Sequence, residues 1–318
     1  MEIGGYFSLE LNKGMHYHTN ALRLNTGRNC FEFILKARGY KKIYIPYYTC
    51  DVLLEPLKKL HIAYSFYNID INFEPIEYFP LNTNEAFLYI NYFGLKQKYV
   101  ELLANIYGSN LIVDNTQAFY AEALDGLDTF YSARKFFGVS DGAYLYTNIS
   151  SYENFSQDYS YNKMLHLLRR IDCSAEEGYA EFRNNEDNLM NNPILKMSKL
   201  TEQILCSIDY KSVKQKRREN YTYLNETLGD INILKLPSIT DNTVPLVYPF
   251  LTSVSDLRNR LIKNKVYVTT FWLNVLDWTD INDIENQFTK CLIPLPIDQR
   301  YGIEEMNKVL SIISYGSK

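Results

Sequence analysis

Lys135 is a lysine between two aromatic runs that both have the pattern of buried strands, "DTFY" before it and "GAYLY" after it. A fully buried ammonium is costly unless it is paired. The side chain therefore either extends to solvent or loses its proton. A neutral lysine amine is a nucleophile that can bind a carbonyl compound covalently. Ser132 lies three residues before it, at the end of the first run.

Two further loops carry groups that could meet Lys135. The apolar segment "LIVD" ends at Asp114, and Gln117 follows three residues later. Thr26 and Gly27 precede a segment with helical spacing, so the free N–H groups at the start of that helix could hold a phosphate. Each signal is weak alone, because a strand-end aspartate is often a turn former and every helix start has free N–H groups.

Together, the three features match what pyridoxal 5'-phosphate requires of a protein. A lysine binds the aldehyde, and desolvation or nearby cations lower its pKa so that it can lose its proton. A carboxylate pairs with the pyridine nitrogen and keeps it protonated. A helix start holds the dianionic phosphate. The sequence therefore predicts this cofactor, with Lys135 and Asp114 as catalytic residues.

The first 150 residues contain the elements that must position these groups. Apolar strand patterns alternate with helix patterns, which predicts a mostly parallel sheet covered on both faces. In such a sheet the ligand site lies at the carboxyl ends of the strands, where the three loops would meet. The predicted strands are 41–46, 63–70, 86–94, 110–115, 128–133 and 142–148, and the predicted helices are 50–60 and 98–108.

The rest of the chain has a different character. Residues 151–195 are polar and weakly periodic, and 198–228 have the pattern of one long helix with a charged outer face. Beyond it, strand, helix, strand and helix patterns predict a small α/β domain. We therefore predict a large cofactor-binding domain with an N-terminal arm over residues 1–205. A linking helix and small domain would occupy 206–318.

Composition excludes several classes of protein. The net charge is -4, which does not provide the basic surface of a nucleic-acid binder. The five cysteines show no paired spacing, so neither a disulfide framework nor a metal site is predicted. No segment resembles a signal peptide or a membrane span, and a cytoplasmic location is expected.

Several ordered segments resemble the DegT-like sugar aminotransferases, a family of fold-type I pyridoxal-phosphate enzymes. This family has an aspartate-aminotransferase-like large domain and a small C-terminal α/β domain. The resemblance rests on segments spread over most of the chain, namely "TGRNCFEFIL", "IPYYTCDVLLEPL", "FYNID", "VDNTQAF", "YSARKFFGVSDGAYLYTN", "MSKLTEQILCSIDYKSVKQKRRENY" and "CLIPLPIDQRYGIEEM".

The resemblance implies roles for named residues. Lys135 would bind the cofactor as a Schiff base, Asp114 would pair with the pyridine nitrogen, and Gln117 would lie beside the ring. The phosphate would be held at Gly27 by the backbone of Arg28 and Asn29 and by the Ser132 hydroxyl. Cys50 stands where relatives often have an aromatic residue that stacks on the ring, so either Cys50 or one of the preceding Tyr47 and Tyr48 would take that place.

The resemblance also implies a homodimer with sites at the subunit interface, to which the arm before Thr26 and the helix from Ser198 onward would contribute. The reaction would move an amino group from glutamate to a keto sugar carried on a nucleotide, for cell-surface polysaccharide synthesis. Some relatives replace the lysine and act as dehydratases, so Lys135 favours transamination. Two alternatives remain open: another pyridoxal-phosphate reaction, such as a lyase or dehydratase, and a non-catalytic binding protein.

Overall fold

The computed structural model describes residues 3–150 and 154–314. Their strands are β1 (Leu22–Leu24), β2 (Lys42–Pro46), β3 (Ala63–Tyr67), β4 (Glu85–Ile90), β5 (Leu111–Asp114), β6 (Asp128–Ser132), β7 (Ala143–Tyr146), β8 (Tyr248–Leu251) and β9 (Leu292–Leu295). Their α-helices are α1 (Gly27–Arg38), α2 (Leu54–Lys59), α3 (Gln97–Tyr107), α4 (Leu165–Asp172), α5 (Tyr179–Asn188), α6 (Lys199–Cys206), α7 (Tyr210–Leu228), α8 (Leu257–Lys263), α9 (Val275–Trp278), α10 (Ile284–Cys291) and α11 (Ile303–Ser314).

Seven strands form one central sheet in the order β1-β7-β6-β5-β4-β2-β3. The five strands β2 to β6 pair in parallel, whereas β7 is antiparallel to both of its neighbours. The central strands β4, β5 and β6 are buried along almost their whole length because helices and loops cover both faces of the sheet. This architecture confirms the predicted mixed α/β fold with a mostly parallel sheet.

The segment 198–228 is not one helix, and that prediction was wrong. It forms α6 and α7, separated at residues 207–209. Asp209 causes the new start, because its Oδ1 accepts the N–H of Ser212 at 3.0 Å and caps α7. The polar segment 151–195 also contains α4 and α5, which the sequence pattern did not reveal.

The C-terminal part has its own small core. Strands β8 and β9 pair antiparallel, and their buried side chains pack with those of α7, α8 and α11. Other side chains beyond residue 206, such as Val213, Phe271 and Phe288, pack into the core of the seven-stranded sheet. The domain boundary at residue 205 stays a prediction. No helix among the described residues is long and apolar enough to cross a membrane.

An ion pair holds the far end of α1 against β6. Arg38 donates from Nε and Nη2 to the two carboxylate oxygens of Asp128, both at 2.8 Å. Asp128 is fully buried, and Thr147 Oγ1 donates to it at 2.6 Å. A buried carboxylate needs its partners, since an unpaired buried charge is strongly destabilising. The pair therefore fixes the direction in which the start of α1 points.

We expect Arg38→Ala to lower the free energy of unfolding by about 3–5 kcal/mol, because it leaves Asp128 charged and unpaired inside the protein. Arg218→Ala is the matched control. It removes an arginine from Asp241, which is exposed, and should cost less than about 1 kcal/mol. Urea unfolding of both variants gives the comparison, and similar small losses would show that the buried pair does not have this role.

Candidate active site

Four of the predicted site residues lie close enough for their charges to interact. The pKa of Lys135 is influenced by Cys50, Asp114 and Arg28, and by the neighbouring Arg134. These residues come from the end of β5, the turn after β6, the start of α1 and the loop after β2. The strand ends of the parallel sheet thus gather them at one edge, as predicted.

Lys135 ends a short 3-10 turn, residues 133–135, directly after β6. Its side chain reaches solvent, yet desolvation by surrounding protein is the largest influence on its pKa, which is lowered. Within residues 3–150 and 154–314 its amino group has no hydrogen bond or ion pair. This amine therefore loses its proton more readily than an ordinary lysine.

Asp114 is the last residue of β5 and is buried. Burial raises its pKa to about 6, while hydrogen bonds from Thr116 and the charge of Lys135 act in the opposite direction. The backbone N–H of Thr116 donates to Oδ1 at 2.8 Å. Asp114 thus forms the local turn, as a strand-end aspartate often does. It is also a buried carboxylate that a cationic N–H group would stabilise.

The start of α1 lies directly against the loop after β5. A Cβ on Gly27 would be 3.2 Å from Thr116 Cγ2, so a larger residue there would require the Thr116 side chain or the helix start to shift slightly. Thr26 caps the helix, because its Oγ1 accepts the N–H of Asn29 at 3.2 Å. That N–H is therefore already bonded, and the N–H groups of Gly27 and Arg28 are the ones without an acceptor inside the helix.

Two guanidinium groups lie near this helix start, each held by a glutamate. Arg28 Nη1 donates to Glu55 Oε2 at 2.5 Å, and Arg134 forms an ion pair with Glu186 of α5. Burial, together with the charge of Arg28, lowers the pKa of Arg134 to about 10. Two cations that repel each other at a helix start form a site suited to an anion.

Three other predicted residues have mixed outcomes. Ser132 ends β6, and its hydroxyl has no hydrogen bond with the described residues, so it is free to donate. Gln117 is buried, and its Oε1 accepts the N–H of Phe93 at 2.9 Å, which fixes the turn after β4. The side-chain nitrogen of Asn29, Nδ2, donates to the carbonyl of Asn192 at 3.0 Å, and its backbone N–H is bonded to Thr26 Oγ1. Asn29 therefore supports the helix start and does not offer its backbone N–H.

Both tyrosines before Cys50 pack against other aromatic rings. Tyr48 is fully buried and packs against Trp272, with ring centroids 5.0 Å apart. Tyr47 stacks on Phe66 at 4.6 Å. Both rings are engaged in packing, and stacking of either tyrosine on a bound ring stays a prediction. Cys50 is the half-buried side chain of this loop that interacts with Lys135, and burial raises the pKa of its thiol.

Arg134 was missed by the sequence analysis, although its position directly before Lys135 was visible. An arginine in a short "SARK" segment does not distinguish a surface side chain from one turned into the site. Only the ion pair with α5, a helix that the pattern did not reveal, shows where it lies. No group of three metal-ligating side chains that could hold an ion was found among the described residues.

This chain is similar in fold to several solved structures. A scan against protein-family models and a search of curated proteins gave no match. Among solved structures, a DegT DnrJ EryC1 StrS aminotransferase from Brucella abortus is 13% identical, covers 92% of this chain and 85% of its own, and has a TM-score of 0.61. The sugar aminotransferase CalS13 from Micromonospora echinospora is 10% identical, with 93% and 87% covered and a TM-score of 0.59.

A third similar structure is the E. coli GDP-4-keto-6-deoxy-D-mannose-3-dehydratase with bound hydrated PLP. It is 15% identical, with 92% of this chain and 87% of that chain covered and a TM-score of 0.62. At these identities the likeness shows the fold alone. The chain therefore has the fold-type I architecture of DegT-type sugar aminotransferases and the related dehydratase, which confirms the predicted fold class.

Proposed function

We propose that the protein is a pyridoxal-phosphate-dependent aminotransferase that moves an amino group, with glutamate as donor, to a nucleotide-linked keto sugar. The observation that carries the proposal is the convergence of Lys135, Asp114 and the start of α1 at one edge of the sheet. Similar folds whose names identify them as sugar aminotransferases support the substrate class.

The residues present fit this cofactor. The unpaired amine of Lys135 suits an aldehyde, and the buried carboxylate of Asp114 suits a protonated ring nitrogen. The free N–H groups of Gly27 and Arg28, the Ser132 hydroxyl and the two guanidinium groups suit a dianion. When bound, pyridoxal phosphate supplies an aldehyde that binds amines and a ring that accepts electrons from the substrate carbon.

Each residue has a defined task in this site. Lys135, whose pKa is lowered, offers a neutral amine that can bind a carbonyl and later accept or return a proton at Nζ. With the cofactor bound, the Asp114 carboxylate would hold a proton on the ring nitrogen, and its burial would strengthen that interaction. The positive charges of Arg28 and Arg134 disfavour a protonated Lys135 and would attract the phosphate.

Lys135 favours transamination over the alternatives. A dehydratase or lyase reaction would use the same cofactor, and a binding protein would need neither a reactive amine nor a proton-holding carboxylate. Spectra of the loaded protein in a single turnover with glutamate distinguish these cases. Conversion of the cofactor to its amine form supports transamination. Loss of that conversion with intact cofactor would favour a different reaction, and a protein that binds no cofactor would refute the proposal.

We further propose a cytoplasmic homodimer that serves polysaccharide synthesis, as the family resemblance implies. Exposed apolar side chains on the segment before Thr26 support it, since Ile3, Tyr6, Phe7 and Leu9 contact little of their own chain. Such a row of exposed apolar residues is typical of a surface that another protein covers. A second copy of this chain is the proposed occupant.

Replacing both Tyr6 and Phe7 by serine should shift the protein from dimer to monomer at micromolar concentration, because it removes two apolar contacts with the partner. The control replaces Ile231 and Ile233, which are also exposed, by serine and should leave the mass unchanged. Sedimentation velocity measures both, and a fully active wild-type monomer would contradict the proposal.

Lys135→Ala should abolish covalent binding of the cofactor while the fold stays intact, because the change removes the amine without leaving a large buried hole. Borohydride treatment followed by intact-mass measurement detects the attached cofactor. Lys214→Ala replaces a lysine that lies over Tyr120 and is not among the groups that act on the Lys135 pKa, so this variant should retain the cofactor. A reduced adduct in the Lys135→Ala protein would identify another lysine as the reactive one.

Asp114→Asn should stabilise the protein without cofactor and inactivate the loaded enzyme. The folded-state pKa of Asp114 lies above its ordinary value of 3.8, so the folded protein binds more protons than the unfolded chain between pH 3.8 and about 6. Stability therefore falls as pH rises through this window. Above it, removing the buried charge should raise the free energy of unfolding by up to about 3 kcal/mol.

The same variant should lower the rate of the half-reaction with glutamate roughly a hundredfold or more, because the ring nitrogen loses its preorganised partner. Unfolding at pH 7.5 and at pH 4, together with stopped-flow spectra, measures both effects. A turn-forming role alone predicts the reverse pattern, a stability loss of about 1 kcal/mol with a nearly normal rate.

A further inference from the structure

Arg217 on α7 is a buried cation that makes no direct ion pair with any described carboxylate, although the charge of Asp298 acts on it. Its side chain is 1% exposed, and no carboxylate of the described residues lies within ion-pair distance. Its Nε donates to Gln299 Oε1 at 3.0 Å, and its Nη1 donates to the carbonyl of Leu246 at 3.0 Å. Burying a guanidinium costs several kcal/mol unless its donors are satisfied. A feature this costly calls for a physical explanation.

The Arg217 guanidinium contacts Phe136, the residue directly after Lys135. The guanidinium lies over the Phe136 ring, with Cζ 4.6 Å from the ring centroid, and Nη2 reaches the Phe136 carbonyl at 3.5 Å. Gln299 Nε2 donates to the same carbonyl at 2.8 Å. Two side chains, one from α7 and one from the segment after β9, thus meet at a single peptide group.

The turn that carries Lys135, residues 133–135, is also held at its first residue, Ala133. Ala133 donates its N–H to the carbonyl of Gly142 at 3.0 Å, and its own carbonyl accepts the N–H groups of Phe136 and Phe137 at 3.0 and 2.9 Å. Lys135 therefore lies between two anchored points, Ala133 and Phe136. Because the backbone conformation determines which rotamers a side chain can adopt, these anchors determine where the amine points.

We propose that Arg217 and Gln299 are a positioning pair that fixes the peptide after Lys135 and so links the C-terminal part of the chain to the reactive amine. Arg217 and Gln299 hold the backbone just after the turn, at Phe136, and the hydrogen bonds of Ala133 hold the turn at its start. The use of a fixed Lys135 amine in catalysis rests on the proposed function, because a reactive amine must point at the group that it attacks. The anchoring itself needs no cofactor.

The test measures the reactivity of Lys135 in the protein without cofactor. Acetic anhydride labelling over a range of pH, followed by peptide mass spectrometry, reports the fraction of neutral amine at this residue. Gln299→Ala removes the stronger bond to the Phe136 carbonyl, and Arg217→Lys removes the fork and the cation over the ring. Neither variant changes the groups that face the amine, which are Arg28, Cys50, Asp114 and Arg134.

Lys135 already reaches solvent, and loosening the turn should let water replace the protein atoms that still desolvate its amine. Burial is the main cause of its lowered pKa, so the pKa should rise toward its ordinary value in both variants. Each unit of rise lowers the neutral fraction about tenfold at a pH below the pKa. We expect labelling at pH 8 to fall about threefold or more, an effect that a purely structural role of the pair would not produce.

Asn220→Ala is the matched control. Asn220 lies one turn further along α7 and donates to the carbonyls of Ile297 and Tyr301 at 3.2 and 3.0 Å, so it holds the same C-terminal segment without touching Phe136. This variant should lose stability but keep the labelling profile of Lys135. An equal shift in the control, or an unchanged profile in folded Gln299→Ala, would overturn the proposal.

The labelling result is independent of the proposed function. A wild-type protein that binds no pyridoxal phosphate would refute that function, and the labelling of Lys135 would still decide whether Arg217 and Gln299 position it. If Arg217→Lys fails to fold, the labelling of Lys135 in Gln299→Ala, a variant that changes no charge, decides the proposal by itself. A second measurement in the loaded protein, the pH at which its visible spectrum changes, should shift in the same variants and not in Asn220→Ala.

Discussion

An amine can attack a carbonyl only when it is not protonated, and the site around Lys135 is organised by that constraint. Burial and the positive charges of Arg134 and Arg28 favour the neutral amine, while Asp114 and Cys50 favour the charged one. A direct ion pair with Asp114 would hold the proton on the lysine. The structure keeps these groups near each other without such a pair, as the proposed function requires.

This arrangement has a cost that the rest of the fold must offset. Asp114, Arg134 and Arg217 are all charged groups whose pKa values burial shifts toward the neutral form. Ionic groups that improve function at the expense of stability are common at active sites. The buried pair of Arg38 and Asp128 at the other end of α1 is different, because both partners there are satisfied.

The sequence predicted well what depends on local pattern. The apolar runs that end at Asp114 and Ser132 became β5 and β6, because strands covered on both faces need continuous apolar sequence. Strand ends of a parallel sheet share one edge, so the meeting of Lys135 with Asp114 followed from topology.

Features that depend on contacts between distant segments could not be predicted. The break before α7 rests on one capping side chain, Asp209, inside a pattern that is otherwise helical. Tyr48 seemed free to stack on a ring, but Phe73, Tyr92 and Trp272 enclose it from three other segments. Arg217 looked like one of several charged residues on a helix, and only its burial beside Phe136 distinguishes it from Arg218.

Arg28, at the start of α1, and Arg134, in the turn after β6, connect these observations. Glu55 and Glu186 neutralise them from separate segments, and the backbone N–H of Asn191 also donates to Glu55 at 2.8 Å. A dianion at the helix start would bring two negative charges to two guanidiniums that already repel each other. It would therefore relieve a repulsion that the glutamates only partly balance. Binding would then stabilise the loop after α5 as well as the ligand, because both depend on the same two arginines.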